Sequence, residues 1–270
     1  MASVFRASES HDGYRSVIDG QTCDTLSFCR FGLIDLAAGR RYQGHTQDAE
    51  VVLVILGGRA RIRAGGKEWA SVGERADVFQ GRATAAYVPA GSEYEVAEAA
   101  GGTLRVAVCG VKAEAAHEPF LVTPDEVVVH HRGAQTWRRE VHDIIADNGD
   151  GRVERIVIGE TYSSPGGWSS YPPHKHDRVS DAETALEEIY FFQMEPQQGF
   201  AVQLLYTEDG EICESHIVRH GDSFAIHRGY HPVAAAGGYK VYYLWFLGGA
   251  HGRRLVPFDQ PSHRWLHEAR

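Results

Sequence analysis

Short apolar runs, mostly five to nine residues long, recur along the chain between Gly, Pro and Asp. They include EVVLVILGG (50–58), ARIRAGG (60–66), TAAYVPAG (84–91) and LRVAVCG (104–110). VERIVIGE (153–160), EEIYFFQME (187–195), FAVQLLYT (200–207) and YKVYYLWFLGG (239–249) continue the series. The runs are rich in β-branched and aromatic residues, which suit a pleated, half-buried surface. Many short strands closed by regular turns predict an all-β protein built as a sandwich or barrel. Helix signals are few. The segment TPDEVVVHHRGAQTWRREVHDII (123–145) mixes periods and reads as a connector that is partly helical.

The pattern repeats. YVPAGSEYEVAEAAGGTLRVAVCG (87–110) resembles AIHRGYHPVAAAGGYKVYYLWFLGG (225–249), with Gly91 and Gly229 138 positions apart. EVV (50–52) and EIY (188–190) fall at the same separation. Gly101-Gly102 matches Gly237-Gly238 at a separation of 136, and a duplicated chain follows from three matches in nearly one register. Residues 1–115 are expected to form one barrel, 116–150 a connector and 151–270 a second barrel.

Composition narrows the class. The chain has 270 residues, 43% hydrophobic and 23% charged, enough for a sizeable core in a folded protein. A formal net charge of −9 without a basic run argues against a nucleic-acid partner. No apolar stretch approaches the ~18 residues that a membrane helix needs, so no membrane partner is expected. MASVFRASESHDGYRS at the amino terminus has no apolar signal core. Cys23, Cys29, Cys109 and Cys213 form no CxxC, and free thiols in a reducing cytoplasm are the simplest reading. Barrel edges leave a homo-oligomer open.

The chemistry gathers in the second half. SSYPPHKHD (169–177) places His174 and His176 two residues apart, hence on one face if the segment is extended. A divalent ion takes three or four such ligands. Glu188 opens the run IYFF on a following strand; its neighbour Glu187 would face the other way, and the first-half match of Glu50 favours Glu188. In GDSFAIHRGYHPVAA (221–235) the turn at Gly229 presents His231 at a strand start. HxH, then Glu, then a glycine-preceded His is the arrangement of a cupin metal site. The plainer alternative leaves the histidines on surface loops and Glu188 as a solvated strand start. The first half keeps His45 and Glu50 but no HxH, and Tyr94 stands near the place of His231, so that half is expected to hold no metal. His227 stands where the first half has Pro89 and is a candidate for the cavity wall.

These motifs, with FDQPSHRWL (258–266) and GERADVFQGRATAAYVPAG (73–91), resemble the 5-deoxy-glucuronate isomerase family over nearly the whole chain. That is the bicupin family of bacterial myo-inositol catabolism, related to the uronate isomerases of pectin breakdown. The resemblance implies two tandem jelly-roll barrels. It also implies conversion of 5-deoxy-D-glucuronate to 5-dehydro-2-deoxy-D-gluconate and metal-ligand roles for His174, His176, Glu188 and His231. The chain departs from the family pattern at His227, where Pro is common.

An aldose–ketose isomerisation moves a proton between adjacent carbons once the carbonyl is polarised. One divalent ion (zinc, manganese, iron or nickel) suits three imidazoles and a carboxylate and can do this. The proton-shuttling group is open among Tyr190, Tyr206, Tyr243 and Glu187, with Glu188 itself in the catalytic set. Lys175 or Arg178 is expected to hold the carboxylate of a small-molecule uronate, Arg being the better partner because it is bidentate. A cupin oxygenase and a non-catalytic sugar-acid-binding bicupin are the competing readings.

Overall fold

A computed structural model describes residues 3–6, 13–115 and 117–269; residues 7–12 of the amino-terminal stretch and Ala116 lie outside the described residues. The predicted apolar runs are strands: Ala49–Gly57, Ala60–Ala64, Ala85–Val88, Leu104–Lys112, Val157–Ser163, Glu187–Glu195, Phe200–Tyr206 and Lys240–Gly248. Among the described residues helix is confined to short 3-10 turns, the longest being Pro261–Glu268. None is long and apolar enough to cross a membrane. The expected all-β, two-barrel architecture is the one observed.

In the first half a six-stranded antiparallel sheet, with Ala49–Gly57 and Leu104–Lys112 at its centre, faces a four-stranded sheet that includes Arg41–His45 and Glu93–Glu98. In the second half a seven-stranded sheet has Glu187–Glu195, Lys240–Gly248 and Val157–Ser163 at its centre. It faces a four-stranded sheet that includes Phe200–Tyr206 and Val233–Ala235. Each pair of sheets encloses its own core, with Ile34, Leu53 and Val96 in one and Phe192, Leu205 and Phe224 in the other. A third core lies between the halves, where the two large sheets pack back to back through Phe31, Val52, Val54, Ile189, Phe191 and Phe246. The central strands are therefore buried on both faces, which is why they read as unbroken apolar runs.

The halves also lock through buried charge. Glu50 accepts hydrogen bonds from the backbone N–H of Glu154 (2.9 Å), Arg155 (2.7 Å) and Ile156 (2.6 Å) and from the Tyr87 hydroxyl (2.9 Å). Glu187 reciprocates, accepting from the N–H of Ser27 (2.6 Å), Phe28 (2.8 Å) and Cys29 (3.1 Å). Arg75 of the first half pairs with Glu160 of the second at 2.6 Å, both fully enclosed, and the Tyr242 hydroxyl donates to the same carboxylate at 2.8 Å.

The connector differs from its expectation. Residues 123–145 hold two strands, Val128–Arg132 and Arg139–Ile145, paired with each other at the edge of the seven-stranded sheet. The only helical turns there are Pro124–Glu126 and Gln135–Trp137. The mixed period has a physical cause: both faces of the hairpin mix apolar with charged or histidine side chains, and a tight turn separates its two strands. The strands also cross between halves, since Phe120–Val122 joins the first sheet and Val4–Arg6 pairs with Asp222–Ile226 of the second.

Candidate metal centre and its cavity

The loop 169–177 reaches the barrel interior through a two-residue strand, His174–Lys175, paired with Phe258–Asp259 near the carboxyl end. His176 is clamped twice by Leu186: its backbone carbonyl accepts the Leu186 N–H at 2.8 Å, and its Nδ1 donates to the Leu186 carbonyl at 2.8 Å. Glu188 follows on the interior face of Glu187–Glu195, alternating with Ile189, which faces the other half. His231 is 0% exposed and is delivered by the turn at Gly229, whose φ of +94° suits glycine. A Cβ at Gly229 would lie 2.8 Å from the Tyr206 carbonyl oxygen.

These three residues meet. His176 Nε2 lies 3.1 Å and His231 Nε2 3.3 Å from Glu188 Oε2, and one ligand atom from each falls within 4.8 Å of the others. His174 stands beside them, its ring 4.9 Å from that of His231 and 6.4 Å from that of His176. All three imidazoles point Nδ1 at a backbone carbonyl: His174 at Pro172 (3.3 Å), His176 at Leu186 and His231 at Gly229 (2.9 Å). A carbonyl only accepts, so Nδ1 carries the proton; Nε2 keeps its lone pair at His174 and His231, and at His176 it meets the Glu188 carboxylate. His231 Nε2 is buried without a hydrogen-bond partner. Burial, with His176 adding, holds His174 down at about 4, and burial with both neighbouring imidazoles holds His231 well below its ordinary value. Burial also opposes protonation of His176, but the Glu188 hydrogen bond outweighs it and raises the value. The orphaned nitrogen of His231, the two imidazoles beside it and one carboxylate form a donor set that fits a divalent ion.

Behind the cluster lies a hydroxyl chain. Tyr190 Oη is 2.7 Å from Ser170 Oγ, which is 3.5 Å from Tyr243 Oη. The two tyrosine rings stand 4.5 Å apart, and Tyr190 is 6.1 Å from the His231 ring. Ser170 adopts φ +48°, a left-handed conformation that a non-glycine residue holds only when its surroundings impose it. Burial, with Glu188 next, pushes the Tyr190 phenol well up, and burial raises Tyr243 as well.

The remaining candidates lie elsewhere. Lys175, 4% exposed, faces away from the two histidines and binds both Glu183 oxygens at 2.8 Å and Asp177 at 2.7 Å. Asp177 in turn accepts the Gly229 N–H at 2.8 Å, which ties the His176 loop to the His231 turn. Lys175 is thus a brace for the site, its charge already matched. The Arg178 side chain is 72% exposed and reaches only Asp177, at 3.9 Å. The Tyr206 hydroxyl donates to Gln260 at 2.7 Å. His227 is half-buried beside Arg228, outside the cluster, and burial lowers its affinity for a proton. Glu187 is committed to the other half, as described above. Ser170, Glu183 and Arg139 were not singled out by the sequence. Only Glu183 carried a signal, as an acid spaced along the same loop as Lys175.

In the first half Tyr94 is buried, its ring 6.2 Å from Tyr42, which stacks on Tyr14 at 5.5 Å. His45 Nδ1 accepts the Gln47 N–H at 2.9 Å.

Comparison with known proteins places the whole molecule. The model of the KduI/IolB family matches residues 4–266. A protein of Geobacillus kaustophilus (strain HTA426) called 5-deoxy-glucuronate isomerase is 37% identical over 242 residues, covering 89% of this chain and 86% of its own. One of the same name from Bacillus subtilis (strain 168) is 31% identical over 274 residues, covering 99% and 100%. The crystal structure of an IolB-like protein from Salmonella typhimurium LT2 superposes with a TM-score of 0.91 at 30% identity, covering 98% of this chain and 100% of that one. Oxalate decarboxylase of Lactobacillus farciminis shares the two-barrel cupin fold, with a TM-score of 0.68 at 10% identity over 100% of this chain and 91% of that one. With a family model spanning almost its full length and relatives this similar at both ends, the chain belongs to the KduI/IolB family.

Proposed function

We propose that this chain is an aldose–ketose isomerase that converts 5-deoxy-D-glucuronate to 5-dehydro-2-deoxy-D-gluconate. The observation that carries the reading is the full-length likeness to relatives bearing the name 5-deoxy-glucuronate isomerase. The reading extends to a divalent ion held by His174, His176, Glu188 and His231, supported by the meeting of His176, Glu188 and His231, the His174 ring beside them and the orphaned buried nitrogen of His231. Zinc, manganese, iron or nickel suits that set. The chemistry belongs to the second barrel, whose large sheet also takes in the hairpin of residues 128–145.

When bound, such an ion polarises the substrate carbonyl and offsets the negative charge that develops on oxygen. The protein does the rest. The isomerisation moves one hydrogen from C2 to C1 and one hydroxyl proton from O2 to O1. The Tyr190–Ser170–Tyr243 chain is suited to the second transfer, because two linked hydroxyls can give and receive in turn. Burial keeps both phenols protonated, so they donate to substrate oxygen rather than take the carbon-bound proton. The Lys175–Glu183–Asp177 brace holds the His176 loop against the His231 turn, so that the imidazoles are placed before substrate arrives.

A proton NMR time course with 5-deoxy-D-glucuronate in D₂O tests the reading. Conversion to the ketose with solvent deuterium at C1, abolished by chelator and restored by metal, is the expected result. No conversion with any of the four metals would overturn it.

A further inference from the structure

Lys175 is matched and Arg178 is in solvent, so a sugar acid bound at the cluster would lack a cation from either. A third cation stands on the same face of the large sheet as Tyr243. Arg139 opens the strand Arg139–Ile145 and lies on the face of Val141, which packs into the second barrel's core; Glu140 and His142 lie on the opposite face and bond each other. Among the described residues the only hydrogen bond of the Arg139 guanidinium is from Nη1 to the Trp137 carbonyl at 3.1 Å, and it forms no salt bridge. It stands across from Ser163 and, one strand further, Val241, in the row next to that of Val141, Thr161 and Tyr243, and its charge acts on Tyr243, Tyr190 and His174. The nearest interior acid on its strand, Asp143, is bonded to His130 at 2.9 Å. A partly buried guanidinium without a carboxylate is an unfavourable arrangement unless a ligand supplies one.

We propose that Arg139 is the carboxylate subsite, binding the acid end of the substrate while the aldehyde end lies at the histidine–glutamate cluster. This rests on the sugar-acid isomerase reading above. From the cluster the rings step from His231 to Tyr190 (6.1 Å) and on to Tyr243 (4.5 Å), and the row of Arg139 follows that of Tyr243 on the same face of the sheet. An open six-carbon acid spans about 6 Å from aldehyde to carboxyl carbon, at ~1.2 Å of advance per bond as in an extended backbone. A hydrogen bond adds about 3 Å at either end. The fork of Arg139 matches a carboxylate in two parallel bonds, which lysine cannot reproduce.

The test compares wild type, Arg139→Ala and Arg139→Lys by three readouts: kinetics with 5-deoxy-D-glucuronate, kinetics with the neutral 5-deoxy-D-glucose, and calorimetric binding of D-gluconate to metal-free protein. Charged hydrogen bonds of this kind correspond to about a 10- to 100-fold change. Arg139→Ala is expected to raise KM for the acid by that factor, weaken gluconate similarly, and leave the neutral sugar and the metal content unchanged. Arg139→Lys, which keeps the charge and the fold, should fall between. Unchanged KM and unchanged gluconate affinity in both variants of an active enzyme would overturn the proposal. If the wild type does not turn over the uronate but gluconate binding still depends on Arg139, the isomerase reading fails and the carboxylate subsite stands.

Discussion

Replacing Lys175 with methionine separates a brace from a substrate-binding cation. The ammonium is 4% exposed and contacts three carboxylate oxygens at 2.7–2.8 Å, two on Glu183 and one on Asp177. Methionine fills much of the same volume but leaves two acids facing each other out of water. Removing one partner of a buried pair costs about 3–5 kcal/mol. The lower end applies here, because Glu183 keeps the N–H donors of Asp177 (2.7 Å) and Arg178 (3.0 Å), and Asp177 keeps that of Gly229. For a chain of this size about 3 kcal/mol corresponds to a fall in Tm of roughly 6–12 °C. The strain is released where the loop meets Gly229, so metal affinity should drop about 10- to 100-fold, as for other residues that orient ligands. Differential scanning calorimetry and competition with a fluorescent chelator read the two effects. Unchanged Tm and metal affinity, together with a raised KM for the uronate, would show the ammonium free to meet substrate and refute the reasoning.

Further outcomes follow from the same geometry. Glu188→Gln should abolish metal retention with little loss of stability, whereas Glu187→Gln should keep metal but lower Tm, since the Glu187 carboxylate holds three backbone donors of the other half; metal analysis and melting curves distinguish them. Arg75→Met should destabilise by about 3–5 kcal/mol in urea unfolding, leaving Glu160 buried without its cation. Ser170→Ala should lower kcat about 10- to 100-fold at unchanged metal content, because it cuts the chain between Tyr190 and Tyr243. At alkaline pH, burial lifts the Tyr206 phenol to about 12, and burial raises Tyr87, Tyr162 and Tyr242 too. These folded values lie above the unfolded value near 10. Their contribution is therefore full below about pH 10 and is lost as pH rises toward and beyond 12, which melts between pH 8 and 12 would reveal.

The histidine–glutamate cluster was legible because its parts are local. His174 and His176 obey the two-residue period of extended chain, and His231 follows a glycine that the turn demands. Glu188, which lies with His176 and His231, was preferred on a partly mistaken ground. Glu50 faces the other half with Val52 and Val54, so its counterpart in role is Glu187, and the first-half residue on the Glu188 face is Val51. A repeat alignment fixes spacing to within a residue, but a one-residue slip on a strand exchanges its faces. Lys175 looked like a free cation because its acids, Asp177 and Glu183, become its partners only when the loop closes on itself. Arg139 and Ser170 left no trace in the sequence. One reaches the cavity because the segment 123–145 is a hairpin rather than a connector, and the other because a single residue takes a left-handed φ.

The central claim is a second-barrel metal centre that drives an isomerisation. Titrating metal-free protein with each candidate ion while recording both bound metal and turnover of 5-deoxy-D-glucuronate tests it most directly. Activity should rise in proportion to bound metal and level off at one ion per chain, and His231→Ala should neither bind nor turn over. Full turnover in protein shown to be free of metal, or in His231→Ala, would contradict it.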